Sequence, residues 1–175
     1  YNQALMELGA LVCVPNGAPL CGQCPLAGLC AARAAGTALS LPQKAAPKAR
    51  RITPVTVALV ESEAGILLQQ RPEKGLLAGL WQPVLWEDAA LSADQLLRQL
   101  AVLGVDCTGA EPAALPPAKH IFSHIEWRMQ GFVLTVPAQP APAGCVWASR
   151  AQLEAEYTLP GAFKPYKKHL SARLP

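Results

Sequence analysis

Four cysteines, Cys13, Cys21, Cys24 and Cys30, are separated by only seven, two and five residues. Thiols this close can enclose a single centre, and a chain bent around one cannot form a long helix or strand there. Three chemistries compete. Disulfides require an oxidising compartment, for which the sequence offers no targeting segment: Tyr1 is not an initiator methionine and no signal peptide precedes the first helix-like stretch. The start is therefore expected to be trimmed from a longer protein. Structural zinc usually joins two Cys-x2–4-Cys knuckles across a longer gap, and here only Cys21 and Cys24 form a knuckle. An iron–sulfur cluster takes four thiolates and tolerates wider, uneven loops, so it fits the spacing best. Pro25 would stiffen the chain straight after the third cysteine.

Charge separates the front of the chain from the rest. Up to residue 60 a single acid, Glu7, faces Arg33, Lys44, Lys48, Arg50 and Arg51, giving +4 of the overall +3 and leaving −1 for the remainder. A basic front suits a polyanion such as nucleic acid, and equally a solvated tether. No apolar run approaches the roughly 18 residues needed to cross a bilayer, so no membrane association is expected.

Residues 1–12 read as an amphipathic helix that delivers Cys13, with Leu5, Leu8 and Val12 on one stripe. Residues 31–51 lack apolar periodicity and hold Gly36, Pro42 and Pro47, the mark of a connector. The pattern changes at Thr53. Residues 55–60 form a strand rich in β-branched side chains, 62–65 a turn, and 66–71 its partner. A loop over 75–83 leads to a strand around 84–86, and a helix over 94–103 carries Leu96, Leu97, Leu100 and Leu103, ending at Gly104. Residues 120–124 lead into a long strand in which Ile125, Trp127 and Met129 alternate with Glu126, Arg128 and Gln130. The alternation fails at Gly131, which calls for a bulge or a segment buried on both faces. Val146 and Trp147 suggest a last short strand, Ser149 a cap for a helix over 150–156, and 163–174 a basic terminal helix. This is an α+β order of elements.

Two stretches carry a resemblance. "NQALMELGALVC" followed by C-x2-C-P-L-x3-C resembles the end of the catalytic domain of adenine DNA glycosylases, the MutY family. "LLQQRPEKGLLAGLWQPV" resembles the Nudix fold, and more closely the Nudix-like C-terminal domain of that same family. The resemblance implies a Nudix-like mixed sheet with flanking helices, preceded by a small helical iron–sulfur segment from a truncated all-α glycosylase domain. It divides the chain into a cluster segment over 1–33, a basic, proline-containing linker over 34–52 and an 8-oxoguanine-recognition domain over 53–175. It implies a structural [4Fe–4S] cluster on Cys13, Cys21, Cys24 and Cys30. The first cysteine loop is one residue longer than is usual in the family and holds no lysine or arginine, which argues against side-chain phosphate contacts from it.

A working Nudix hydrolase needs a Gly-x5-Glu-x7-Arg-Glu-x2-Glu-Glu-x-Gly box whose carboxylates hold Mg²⁺. Anchored on Gly79, that box puts Leu85 at the first glutamate and Ala93 at the arginine; anchored on Gly104, it puts Ala101 and Val102 at the paired glutamates. The fold is therefore expected to recognise rather than hydrolyse. In the family a Phe-Ser-His turn contacts the 8-oxoguanine opposite the target adenine, and Phe122, Ser123 and His124 match it. A serine hydroxyl and neighbouring backbone groups can meet the N7–H donor and O8 acceptor of the oxidised base. Phe122 can wedge or stack near bases, and His124 can reach phosphate. His120, and less strongly Lys119, join them as candidates, with Lys44, Lys48, Arg50 and Arg51 as possible phosphate contacts.

The function implied is the C-terminal part of a base-excision-repair DNA N-glycosylase that removes adenine mispaired with 8-oxoguanine. Its partner would be double-stranded DNA carrying that mispair. The catalytic acids would lie upstream; none is assigned here, and the chain alone is expected to be inactive. A monomer is expected, cytoplasmic or, in a bacterium, nucleoid-associated. The rival readings are a Nudix-type nucleotide hydrolase and a non-enzymatic metal- or redox-sensing DNA-binding module. Cys107 and Cys145 are read as packing residues.

Overall fold

The apolar run over 55–60 does not alternate, as befits a strand covered on both faces. In the computed structural model, which describes residues 1–43 and 49–170, this run is the middle of β1 (Arg51–Ser62). Val55, Val57, Ala58, Leu59 and Val60 are all fully buried. β1 sits inside a six-stranded sheet of order β4-β5-β1-β3-β2-β6. The other strands are β2 (Gly65–Gln70), β3 (Trp81–Glu87), β4 (Ala113–Ile121), β5 (Ile125–Thr135) and β6 (Cys145–Ala148). β1 runs parallel to β5 and antiparallel to β3, so the sheet is mixed. The α+β expectation holds.

Apolar side chains cover both faces of the sheet. One face joins Val55, Val57, Leu59, Trp127 and Met129 to Phe163, Tyr166 and Leu170, the last three brought by a 3-10 turn and α5 (Lys164–Leu170). The other joins Ala58, Val60, Val84 and Leu134 to Leu96 and Leu100 of α3 (Ala93–Leu103). Each valine, leucine, methionine or phenylalanine among them contributes roughly 1.5–3 kcal/mol by leaving water. α3 starts in a capping box, Ser92 accepting from the Gln95 amide and Gln95 accepting from that of Ser92, and stops at Gly104 with φ of 97°. A second capping box, Ser149 with Gln152, opens α4 (Arg150–Ala155). Thr56 and Gln130 pin the segment before α3: Gln130 Nε2 donates to the Leu91 carbonyl at 2.6 Å and to Thr56 Oγ1 at 3.0 Å, and Thr56 Oγ1 accepts from the Leu91 amide at 2.9 Å.

Of the two explanations expected at Gly131, the bulge lies on the neighbouring strand. β5 is continuous there, and the register shift lies opposite, on β4 between Leu115 and Ala118, where Pro116 and Pro117 interrupt the ladder. Phe132, Val133 and Leu134 pack alternately on the two apolar faces, so the doubly buried alternative is the right one. β4 itself is a strand the sequence reading left unassigned. As an edge strand, paired with β5 alone, it tolerates two prolines. Within the terminal helix expected over 163–174, α5 accounts for 164–170, and the remainder lies outside the described residues.

The chain divides into two units, Tyr1–Lys48 and Ala49–Pro175. The sheet belongs to the second. In the first, α1 (Asn2–Leu11) and α2 (Ala31–Ala34) flank the cysteine loops, with a 3-10 turn at Cys21–Gln23. None of residues 1–43 is buried. Among the described residues no helix is long and apolar enough to cross a membrane.

Candidate nucleic-acid interface and cysteine site

Ser123 and His124 form the tip of the hairpin joining β4 to β5. The Phe122 amide donates to the Ile125 carbonyl at 2.8 Å, closing the turn, and the Arg51 amide donates to the His124 carbonyl at 3.1 Å. The tip is thus tied on both sides by backbone bonds, while Ser123 and His124 stay exposed.

Beneath the tip is a column of rings. Phe122 stands edge-on to His120, with centroids 4.5 Å apart, and to Trp127 at 5.0 Å. Trp127 is fully buried and continues to Phe163 at 6.2 Å. The Arg71 guanidinium carbon lies 5.8 Å from the Trp127 ring centroid, a cation–π contact. Arg71 is held by Glu87 Oε1 at 2.7 Å and Gln82 Oε1 at 3.2 Å. Phe122 is half-buried and packed on the core. Its ring anchors the tip; Ser123 and His124 are the side chains on offer. Nothing in one sequence marks Arg71 and Trp127 as supports, because the fold alone brings residues that far apart together.

The described basic candidates fall in two places, at the start of β1 and on β4. Arg51 opens β1 and pairs with Asp88 at 2.6 Å, both ends well exposed. Arg50 is exposed beside it. Lys44 and Lys48 lie outside the described residues. Lys119 and His120 sit on β4, Lys119 exposed and His120 half-buried.

In the first unit, the helix hands the chain to Cys13, whose amide donates to the Leu8 carbonyl at 2.7 Å. Cys21 opens the 3-10 turn, Cys24 ends it, and Cys30 precedes α2. All four line one cavity of about 60 Å³, with Val12, Pro19 and Leu41 among its apolar walls. All six cysteines are free thiols. Among the described residues no group of three or more His, Cys, Asp or Glu stands as a site for a metal ion. The loops therefore bring four cysteines to the lining of a common cavity.

Residues 55–169 match the NUDIX domain family. The human adenine DNA glycosylase is 30% identical over 204 residues, covering 87% of this chain and 37% of the relative. The mouse enzyme is 31% identical over 199 residues, covering 84% and 38%. The chain thus spans well under half the length of these relatives. Among solved structures, the C-terminal domain of mouse MUTYH, determined in complex with human PCNA, superposes with a TM-score of 0.51 at 23% identity over 70% of this chain and 92% of that domain. That likeness is one of fold.

Proposed function

Since the chain belongs to the NUDIX domain family and resembles adenine DNA glycosylases over most of its length, we propose that it is the lesion-reading part of such an enzyme, one that removes adenine paired with 8-oxoguanine. The observation that carries this reading is the exposed Ser123 and His124 tip, fixed by backbone bonds above the Phe122 and Trp127 rings. A rigid tip can discriminate bases that differ by one donor and one acceptor. Ser123 and adjacent backbone groups meet N7–H and O8, and His124 meets a neighbouring phosphate.

Hydrolysis of a nucleoside diphosphate finds no support. Gly104 is the left-handed cap of α3, which favours the box register ending there. The helix then offers Arg98, Ala101 and Val102 where the box has acids, and none of these side chains carries an oxygen that could ligate a cation. We assign adenine excision to acids of the whole enzyme, outside this chain, and a [4Fe–4S] cluster to Cys13, Cys21, Cys24 and Cys30. The donor set and the shared cavity suit a centre larger than one ion, which would tie the loops together. A redox-sensing module remains the second reading only in so far as the same cluster would serve it.

The test compares the full chain on duplexes carrying 8-oxoguanine or guanine opposite adenine. The oxidised duplex should bind several-fold more tightly, and Ser123→Ala should remove about 1 kcal/mol of that preference, one net hydrogen bond. Equal affinity for both duplexes, unmoved by the substitution, would sink the recognition role. Adenine release at enzymatic rates by this chain alone would overturn its assignment as the non-catalytic part.

A further inference from the structure

The tip is reached along β4, which also borders a groove. Pro116 and Pro117 shift its register and form one wall of an open groove of about 530 Å³, whose other wall is the 3-10 turn and α5. Lys119 and His120 line it from the strand; Lys164, Lys168 and His169 line it from the helix. None of the described residues lining it is acidic. Two elements far apart in sequence thus converge their basic side chains on one trough. Lysines on a solvated face alone would not require this convergence.

We propose that this groove between β4 and α5 binds backbone phosphates of the DNA strand whose oxidised base is read at Ser123. The inference rests on that reading for its choice of polyanion. Continuity argues for it: Lys119 and Ser123 are four residues apart on one hairpin, about 13 Å at strand rise. A nucleic-acid strand advances about 3.4 Å per nucleotide, so the groove meets phosphates about three to four nucleotides from the base at the tip. Phosphate contacts set register and orientation, and base contacts specify; groove and tip divide these tasks along one strand.

The experiment measures affinity of the full chain for a short duplex against salt, with 8-oxoguanine or guanine opposite adenine. Each phosphate neutralised contributes about 0.9 to the slope of log affinity against log salt. The variant Lys119→Gln/Lys164→Gln/Lys168→Gln should lower the slope by about two to three on both duplexes and leave the preference between them unchanged. Each single substitution should lower it by about one, which keeps the test open if the triple variant folds poorly. A slope unchanged in all these variants overturns the proposal, including the case in which the groove instead serves an acidic peptide. The two readings fail separately. A lowered slope with no wild-type preference for the oxidised duplex supports the groove and removes the base-reading role of Ser123; a preference with an unchanged slope does the reverse.

Discussion

Gly131 shows how closely single residues are fitted where β5 meets α5. A Cβ built there would stand 2.7 Å from Tyr166 Cε1 and 3.2 Å from Leu115 Cβ. The ring belongs to the buried core and has no room to retreat, so Gly131→Ala should destabilise by about 1–3 kcal/mol through overpacking, read as a lower urea midpoint at unchanged slope. Gly65 is more constrained: its φ is 126°, and a Cβ would collide with the Ala148 carbonyl. Tyr166 itself carries a buried hydroxyl with no hydrogen-bond partner among the described residues, and burial pushes its pKa up to about 12. The folded protein therefore holds this proton where the unfolded chain, with the ordinary value near 10, has lost it. The associated stability is complete below pH 10 and is lost as the pH rises towards 12. Tyr166→Phe should be neutral or slightly stabilising at pH 7 and should remove that part of the alkaline loss, measured by denaturant titrations on either side of pH 10. An equal alkaline loss in both proteins would assign it to other groups.

At the scale of elements, what the sequence revealed and what it hid have separate causes. β1, β2, α3 and β5 were legible because burial on one or both faces leaves a period or a run. β3 and β1 proved longer than their apolar centres, since strand ends continue as exposed backbone pairing, as at Arg51 and Glu87. β4 was illegible because an edge strand with two prolines carries neither signal. The tip was legible as a motif, but its mechanical support was not: Arg71, Trp127 and Phe122 converge only through the fold. The groove lysines of α5 read as a basic helix, and only the position of β4 gives them a common target. The hydrolase reading turns on the register of the box, and the cap at Gly104 makes it testable. If α3 lacks a metal site, millimolar Mg²⁺ should leave the melting temperature unchanged and release neither phosphate nor pyrophosphate from an 8-oxoguanine nucleoside triphosphate. A site filled at ten times its dissociation constant would stabilise the fold by about 1.4 kcal/mol, a shift that thermal melting resolves.

For the whole molecule, the two units differ in what can hold them. The second contains its own two-sided core around β1. In the first, no residue of 1–43 is buried, and Leu5 and Leu11 of α1 are 46% and 70% exposed. Apolar burial cannot order so small a segment; four thiolates on one centre can, because ligand binding then supplies folding free energy. The cluster proposal therefore predicts a stability asymmetry. Anaerobically purified protein should be brown with about four irons per chain. Removing the iron by chelation should expose peptide bonds within 1–43 to protease while the near-UV signal of buried Trp127 in the second unit persists. Cys24→Ser should do the same without a chelator, because three thiolates hold the cluster poorly. Colourless protein with one zinc per chain would replace the cluster with a single ion. If the iron-free protein instead kept its protease pattern, residues 1–43 would owe their order to contacts other than the four sulfurs, and the structural role assigned to the cluster would fall.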